Sequence, residues 1–97
     1  MSEENREKAF YEKLKIQLYE TSSWPSEYLF KFIVVTDSTG IRDVENLFNG
    51  IGAVITTKAS KNGKYTSVSI HVDMKNPEAV VAKYIEVSEK VEGIISL

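Results

Sequence analysis

The sequence predicts one α+β domain: a four-stranded antiparallel sheet with two helices on one face, plus an extra N-terminal helix. Three observations predict it. Residues 41–48 and 79–91 space their apolar side chains as helices do, whereas residues 28–36 and 64–73 are rich in β-branched and aromatic residues or alternate strictly. The chain has 97 residues, enough for one core and too few for two.

In chain order, residues 1–7 are charged and lack apolar partners, which predicts a loose tail. Over residues 8–20, Phe10, Leu14 and Leu18 recur every fourth residue, with Tyr11 widening the stripe, and this predicts a helix. Leu14, Ile16 and Leu18 also alternate as in a strand, but the unbranched charged residues between them favour the helix. Thr21-Ser22-Ser23-Trp24-Pro25 ends it, because the residue before a proline is pushed out of the helical region.

Tyr28 to Thr36 reads as a strand with Tyr28, Phe30, Phe32 and Val34 inward and Leu29, Lys31, Ile33 and Val35 outward. Its outer side is therefore also apolar, and the N-terminal helix or a second subunit is expected to cover it. Asp37-Ser38-Thr39-Gly40 is a turn rich in capping residues, after which Ile41, Val44, Leu47 and Phe48 follow helical spacing to Asn49-Gly50. Gly50-Ile51-Gly52 then reads as a cap and tight turn.

Ala53 to Ser60 and Lys64 to Asp73 read as strands joined by a Lys61-Asn62-Gly63 hairpin turn. Thr66, Val68, Ile70 and Val72 take one face of the latter, and Tyr65, Ser67, Ser69 and His71 the other. Asn76-Pro77-Glu78 starts a helix with proline in its first turn. Ala79, Val80, Ala82, Tyr84, Val87 and Val91 define its buried stripe. Gly93 ends it, and Ile94 to Leu97 form a short last strand. The order after the first helix is β-α-β-β-α-β, that of a ferredoxin-like sandwich.

Composition narrows the functional classes. With 42% hydrophobic residues and 27% charged, the chain has the makings of a core, and a disordered reading falls away. The lack of cysteine removes disulfides, thiolate metal sites and thiol nucleophiles, and one histidine offers little to a metal, so no cofactor is expected. A net charge of −2 is too balanced for a polyanion binder acting through bulk charge. Residues 46–72 nevertheless carry three lysines and no acid. Glu3, Glu4 and Glu7 stand where a signal peptide needs apolar residues, and apolar runs of four residues cannot span a bilayer, so a cytoplasmic protein is expected.

Few groups offer chemistry. His71 shares a strand face with Ser67 and Ser69, but no glycine-flanked nucleophile turn accompanies them, and an ordinary sheet-surface histidine is the simpler reading. Glu86, Glu89 and Glu92 read as a solvated helix face. Asp37, Ser38, Thr39 and Gly40 join a strand to a helix, where free backbone N–H groups can hold a carboxylate or phosphate, with capping by Ser38 or Thr39 as the plainer alternative. Lys58, Lys61, Lys64 and Tyr65, with Ser67, Ser69 and His71, form a second candidate surface for a partner or an anion. Lysines that discourage strand pairing explain the cluster as well. Single-stranded nucleic acid is the alternative ligand there, but Tyr65 is the one well-placed aromatic, which argues against it.

From Ser60 through Gly63, Tyr65, Ser67, Val68, Ser69 and Ile70, the chain resembles the YbeD-like family of small bacterial proteins, with its Gly-x-Tyr-x-Ser-Val-Ser-Ile run. Trp24-Pro25 leading into Tyr28 to Ile33 is similar to that family's aromatic-proline segment, so the resemblance covers residues 24–97. It implies an uncharacterised function and a ferredoxin-like fold similar to ACT domains, which bind amino acids in metabolic enzymes. Asp37 to Ile41 looks like the Asp-x-x-Gly-hydrophobic turn of ACT domains, without the proline usual before that glycine. The resulting expectation is a non-enzymatic regulatory or binding module that senses a small ligand or docks a protein partner, with a homodimer as one form.

Overall fold

The computed structural model describes residues 3–97. Helix α1 spans Glu3–Thr21, followed by strand β1 (Ser26–Val35), helix α2 (Gly40–Leu47), strands β2 (Val54–Ala59) and β3 (Tyr65–Met74), helix α3 (Pro77–Lys90) and strand β4 (Ile95–Ser96). The result is a mixed α+β chain of three helices and one four-stranded sheet in the order β2-β3-β1-β4. Every pairing is antiparallel.

The longest ladder runs between β1 and β3, from Ser26 opposite Met74 to Val35 opposite Tyr65. This register aligns the inward sets of the two strands. Phe30, Phe32 and Val34 thereby join Val68, Ile70, Val72 and Met74 in one core, closed by Val44 and Phe48 from the α2 side and by Val80, Tyr84, Val87 and Val91 from α3. Aromatic rings hold its centre. Phe30 packs 5.2 Å from Phe48 and 5.0 Å from Tyr84 between ring centroids, and Phe32 lies 6.0 Å from Tyr84. The Tyr84 hydroxyl is satisfied by that of Tyr28 at 2.9 Å.

The helices lock to one another by directed contacts. The Lys83 ammonium of α3 donates to the Leu47 carbonyl at the end of α2 and to Glu86, each at 2.8 Å, and stands 5.1 Å from the Phe48 ring centre. A cation at a helix C-terminus meets the negative end of the dipole and an orphan carbonyl together. Its hydrogen bond to Glu86 holds that carboxyl below the usual range. Asn76 caps α3 by accepting from the Ala79 N–H at 2.9 Å, ahead of Pro77 in the first turn.

Several boundaries and placements differ from those the sequence predicts. Residues 3–7 are the first turns of α1 rather than a tail, while residues 1–2 lie outside the described residues. Their acids suit the positive end of a helix and their charged residues are good helix formers, so an apolar stripe is not needed there. Helix α1 lies against α3, with Tyr11, Leu14 and Leu18 packed on the edge of the core, Tyr19 hydrogen-bonded to Glu78 and the Trp24 indole donating to the Leu18 carbonyl. It thus thickens the helical layer and leaves the outer side of β1 open. Ala82 is exposed, because the buried arc of α3 runs through Val80, Tyr84 and Val87 and turns it to solvent.

Two predictions follow from this packing. Gly40 is buried, and a Cβ added there lies 2.9 Å from Val34 Cβ and Cγ1. Gly40→Ala is expected to destabilise the domain by about 1–3 kcal/mol in chemical denaturation, because a core strand must move to admit it. Burial, reinforced by the Tyr28 hydrogen bond, pushes the Tyr84 phenol well above its ordinary value of 10.0. The folded chain keeps this proton where the unfolded chain sheds it, so the associated stability is full below pH 10 and declines above it at up to about 1.4 kcal/mol per pH unit. Tyr84→Phe is expected to cost about 1 kcal/mol near neutrality through the lost hydrogen bond. Its deficit relative to wild type then shrinks above pH 10 in urea titrations.

Candidate functional site

With the core on one side, the β1–β3 register sets the opposite face row by row. Glu27 lies opposite Asp73 at one end. Next come Leu29, His71 of β3 and Val54 of β2, followed by Lys31, Ser69 and Thr56. Ile33, flanked by Ile95 of β4, aligns with Ser67 and Lys58, and Val35 closes the face opposite Tyr65. Leu97 follows in register, its N–H bonded to the Lys31 carbonyl at 2.9 Å.

This face is open, and it is apolar mainly along β1 and β4. Leu29 is 48% exposed, Val54 62% and Ile95 53%, with Val35, Tyr65 and Leu97 also exposed, whereas Phe30, Phe32, Val68 and Ile70 on the other side are fully buried. Strand β1 thus carries two apolar sides and one cover. Isolated surface hydrophobics are ordinary, whereas these share one sheet face, interrupted by the middle row of Lys31, Ser69 and Thr56.

Charge is distributed along the strands. Glu27 and Asp73 make one end acidic, although the Glu27 carboxylate lies 3.3 Å from His71 Nδ1. At the other end Ile33, Lys58, Ala59, Ser60, Lys61, Tyr65 and Ser67 line a shallow depression. The Lys64 ammonium reaches back to within 5.6 Å of the Tyr65 ring centre. No ion pair among the described residues involves Lys58, Lys61 or Lys64. The hairpin that presents them is held by Ser60, whose hydroxyl donates to the Asn62 side chain at 3.0 Å and accepts from the Tyr65 N–H at 3.1 Å. Gly63 in the turn has φ of 73°, a conformation that only glycine adopts without strain.

The structure therefore joins Lys58, Lys61, Lys64, Tyr65 and Ser67 at one end of the sheet, with Ser69 in its middle row and His71 near the acidic end. Ser67 donates to the Lys58 carbonyl at 3.3 Å, across the β2–β3 pair. The residues Asp37 to Gly40 form a separate feature at the start of α2. There the Ser38 hydroxyl donates to the Val35 carbonyl at 2.6 Å and accepts from the Gly40 N–H at 3.1 Å. Thr39 occupies the N-cap position, but its hydroxyl donates to the Asp43 carboxylate at 2.8 Å instead of capping the backbone. These bonds are internal to the turn. Among the described residues no group of three or more His, Asp or Glu side chains is placed to hold a metal ion, and no helix is long and apolar enough to cross a membrane.

The inventory read from the sequence lacked Glu27, Val54, Ile95 and Leu97 as surface partners. Alternation in β2 carries part of the signal, since Val54, Thr56 and Lys58 share a face. The pairing of Glu27 with His71 depends on register between strands more than 40 residues apart, and no local pattern shows it.

A small α+β domain with one open, apolar, end-to-end charged sheet face is the class that this geometry defines. Residues 20–95 match the profile of a protein family of unknown function, DUF493, and the chain belongs to that family, which is that of the YbeD-like proteins. The match leaves most of α1 outside it. No curated protein and no solved structure matches the chain.

Proposed function

We propose that this chain is a non-enzymatic binding module that docks a protein partner on the outer face of its sheet. The observation that carries the reading is the exposure of Leu29, Val35, Val54, Tyr65 and Ile95 together on one face of a sheet whose other face is buried. Covering these side chains gains roughly 25 cal/mol per Å² of apolar surface, and nothing within the described chain does so. The sheet order β2-β3-β1-β4, with β-α-β-β-α-β connectivity after α1, supports reading the scaffold as a ferredoxin-like sandwich similar to ACT domains. Such a scaffold regulates by binding one state of a partner better than another.

In this reading His71 is a sheet-surface side chain, exposed and paired with Glu27, while the Ser67 hydroxyl donates to the Lys58 carbonyl rather than to the imidazole. Docking has more behind it than a ligand at Asp37 to Gly40, where the Ser38 hydroxyl already takes the Gly40 N–H. It also has more behind it than nucleic acid, because recognition of single strands on such sheets stacks two or three bases on aromatics. Tyr65 is the aromatic available for that on this face.

The test is photo-crosslinking in living cells. A benzophenone amino acid placed at Val54 or Ile95 is expected to give protein adducts that the same group at Glu89, exposed on α3, does not give. Equal or absent adducts at the sheet-face positions would overturn the reading.

A further inference from the structure

The outer face is not uniform, and its asymmetry points to a particular occupant. Its acidic end holds Glu27 and Asp73, opposite one another on β1 and β3. At the other end of the same two strands lie Tyr65 with the Lys64 ammonium beside it, and Lys58 and Lys61 around the depression. Between the ends run Leu29, Ile33, Val54 and Ile95. A surface acidic at one end, basic at the other and apolar between is complementary to itself when turned end for end.

We propose that the partner seated on this face is a second copy of the chain, packed sheet to sheet about a two-fold axis that crosses the strands. This rests on reading the face as a docking surface. Such an axis keeps each strand over its own counterpart and reverses strand direction. The Glu27 and Asp73 row of one copy then meets the Val35 and Tyr65 row of the other, where Lys64 and the hairpin lysines stand. The Leu29 row meets the Ile33 row, so Leu29 covers Ile33 on β1, while on β2 Val54 lies over the aliphatic stem of Lys58. A two-fold axis along the strands would instead set Glu27 of one copy against Asp73 of the other, which like-charge repulsion disfavours.

One residue resists the arrangement. Lys31 sits in the middle row and faces its own copy across the axis. Leu97 flanks it on the edge, its N–H bonded to the Lys31 carbonyl, and the sheet ends there, so the aliphatic stem of Lys31 can carry its ammonium past that edge to water. Lys31 thus limits the affinity without forbidding the contact. The size of the face points the same way. Strands of 10, 6, 10 and 2 residues make a footprint of about 450 Å² per copy, at about 3.3 Å per residue and about 4.8 Å between strands. Two copies with their hairpins bury about 1,000 Å², the size at which specific interfaces begin, so a weak and reversible dimer is expected.

Sedimentation equilibrium over a range of protein concentration tests this with three variants and one mixture. The wild type is expected to dimerise reversibly. Glu27→Lys with Asp73→Lys, and separately Lys58→Glu with Lys61→Glu, are each expected to weaken dimerisation about tenfold or more, and an equimolar mixture of the two to restore it. Lys31→Met is expected to strengthen it severalfold. All these positions are exposed, and unchanged circular dichroism and melting separate lost association from lost folding. A wild type still monomeric at about 1 mM, where association is worth only about 4 kcal/mol, a dimer indifferent to both charge reversals, or a mixture that fails to recover would each overturn the proposal. A monomer that still crosslinks other proteins from Val54 would remove the second copy alone. A monomer with no sheet-face adducts removes the docking reading as well.

Discussion

Strand β1 is apolar on both sides, and a sheet backed by helices on one face can bury only one of them. Tyr28, Phe30, Phe32 and Val34 alternate with Leu29, Ile33 and Val35, so no register can hide both sets. The pairing with β3 resolves the choice. The opposite strand has a clean division between Thr66, Val68, Ile70, Val72 and Met74 on one side and Tyr65, Ser67, Ser69, His71 and Asp73 on the other. Its apolar set fixes which side of β1 becomes the core, and the remaining set of β1 is left in water. The elements on the helical side then pack against a face whose identity is already determined.

What holds that side together is a small number of large groups. Phe30, Phe32, Phe48 and Tyr84 contribute extensive buried area from three elements, and their ring contacts tie β1 to α2 and α3 together. Lys83 adds a directed clamp from α3 to the end of α2. Gly40 lets α2 begin directly against Val34. With α1 placed outside α3, the helical layer gains a further turn of apolar cover while the far face of the sheet gains none. The functional reading follows from this imbalance, since the one-sidedness of the cover makes the open face available.

Much of this was legible in the sequence because it depends on local periodicity. Alternation in Lys64 to Asp73 gave the strand to within one residue at each end and the inward set Thr66, Val68, Ile70 and Val72, Asn76-Pro77 marked the start of α3, and Lys61-Asn62-Gly63 marked the hairpin. The apolar outer side of β1 was legible for the same reason. The Gly-x-Tyr-x-Ser-Val-Ser-Ile run indicated the family that the match over residues 20–95 establishes. Misplaced features depend on tertiary packing. The stripe of Leu14 and Leu18, widened by Tyr11, shows that α1 has a face to bury, whereas Phe10, expected on the same stripe, is exposed because the helix turns it away from α3. The charge asymmetry of the open face was hidden because Glu27, Asp73 and Lys58 come from three separate strands and are ordered along the face only by register.

The central claim is that β1 has two apolar sides, one covered by the chain itself and one left open. Methyl NMR of a dilute sample with a soluble paramagnetic probe tests it most directly. The account predicts strong attenuation of the Leu29, Val35, Val54 and Ile95 methyls while those of Val34, Val68 and Ile70 are spared. Protection of the outer set at high dilution, equal to that of the core, would show that the chain covers both faces and would contradict it.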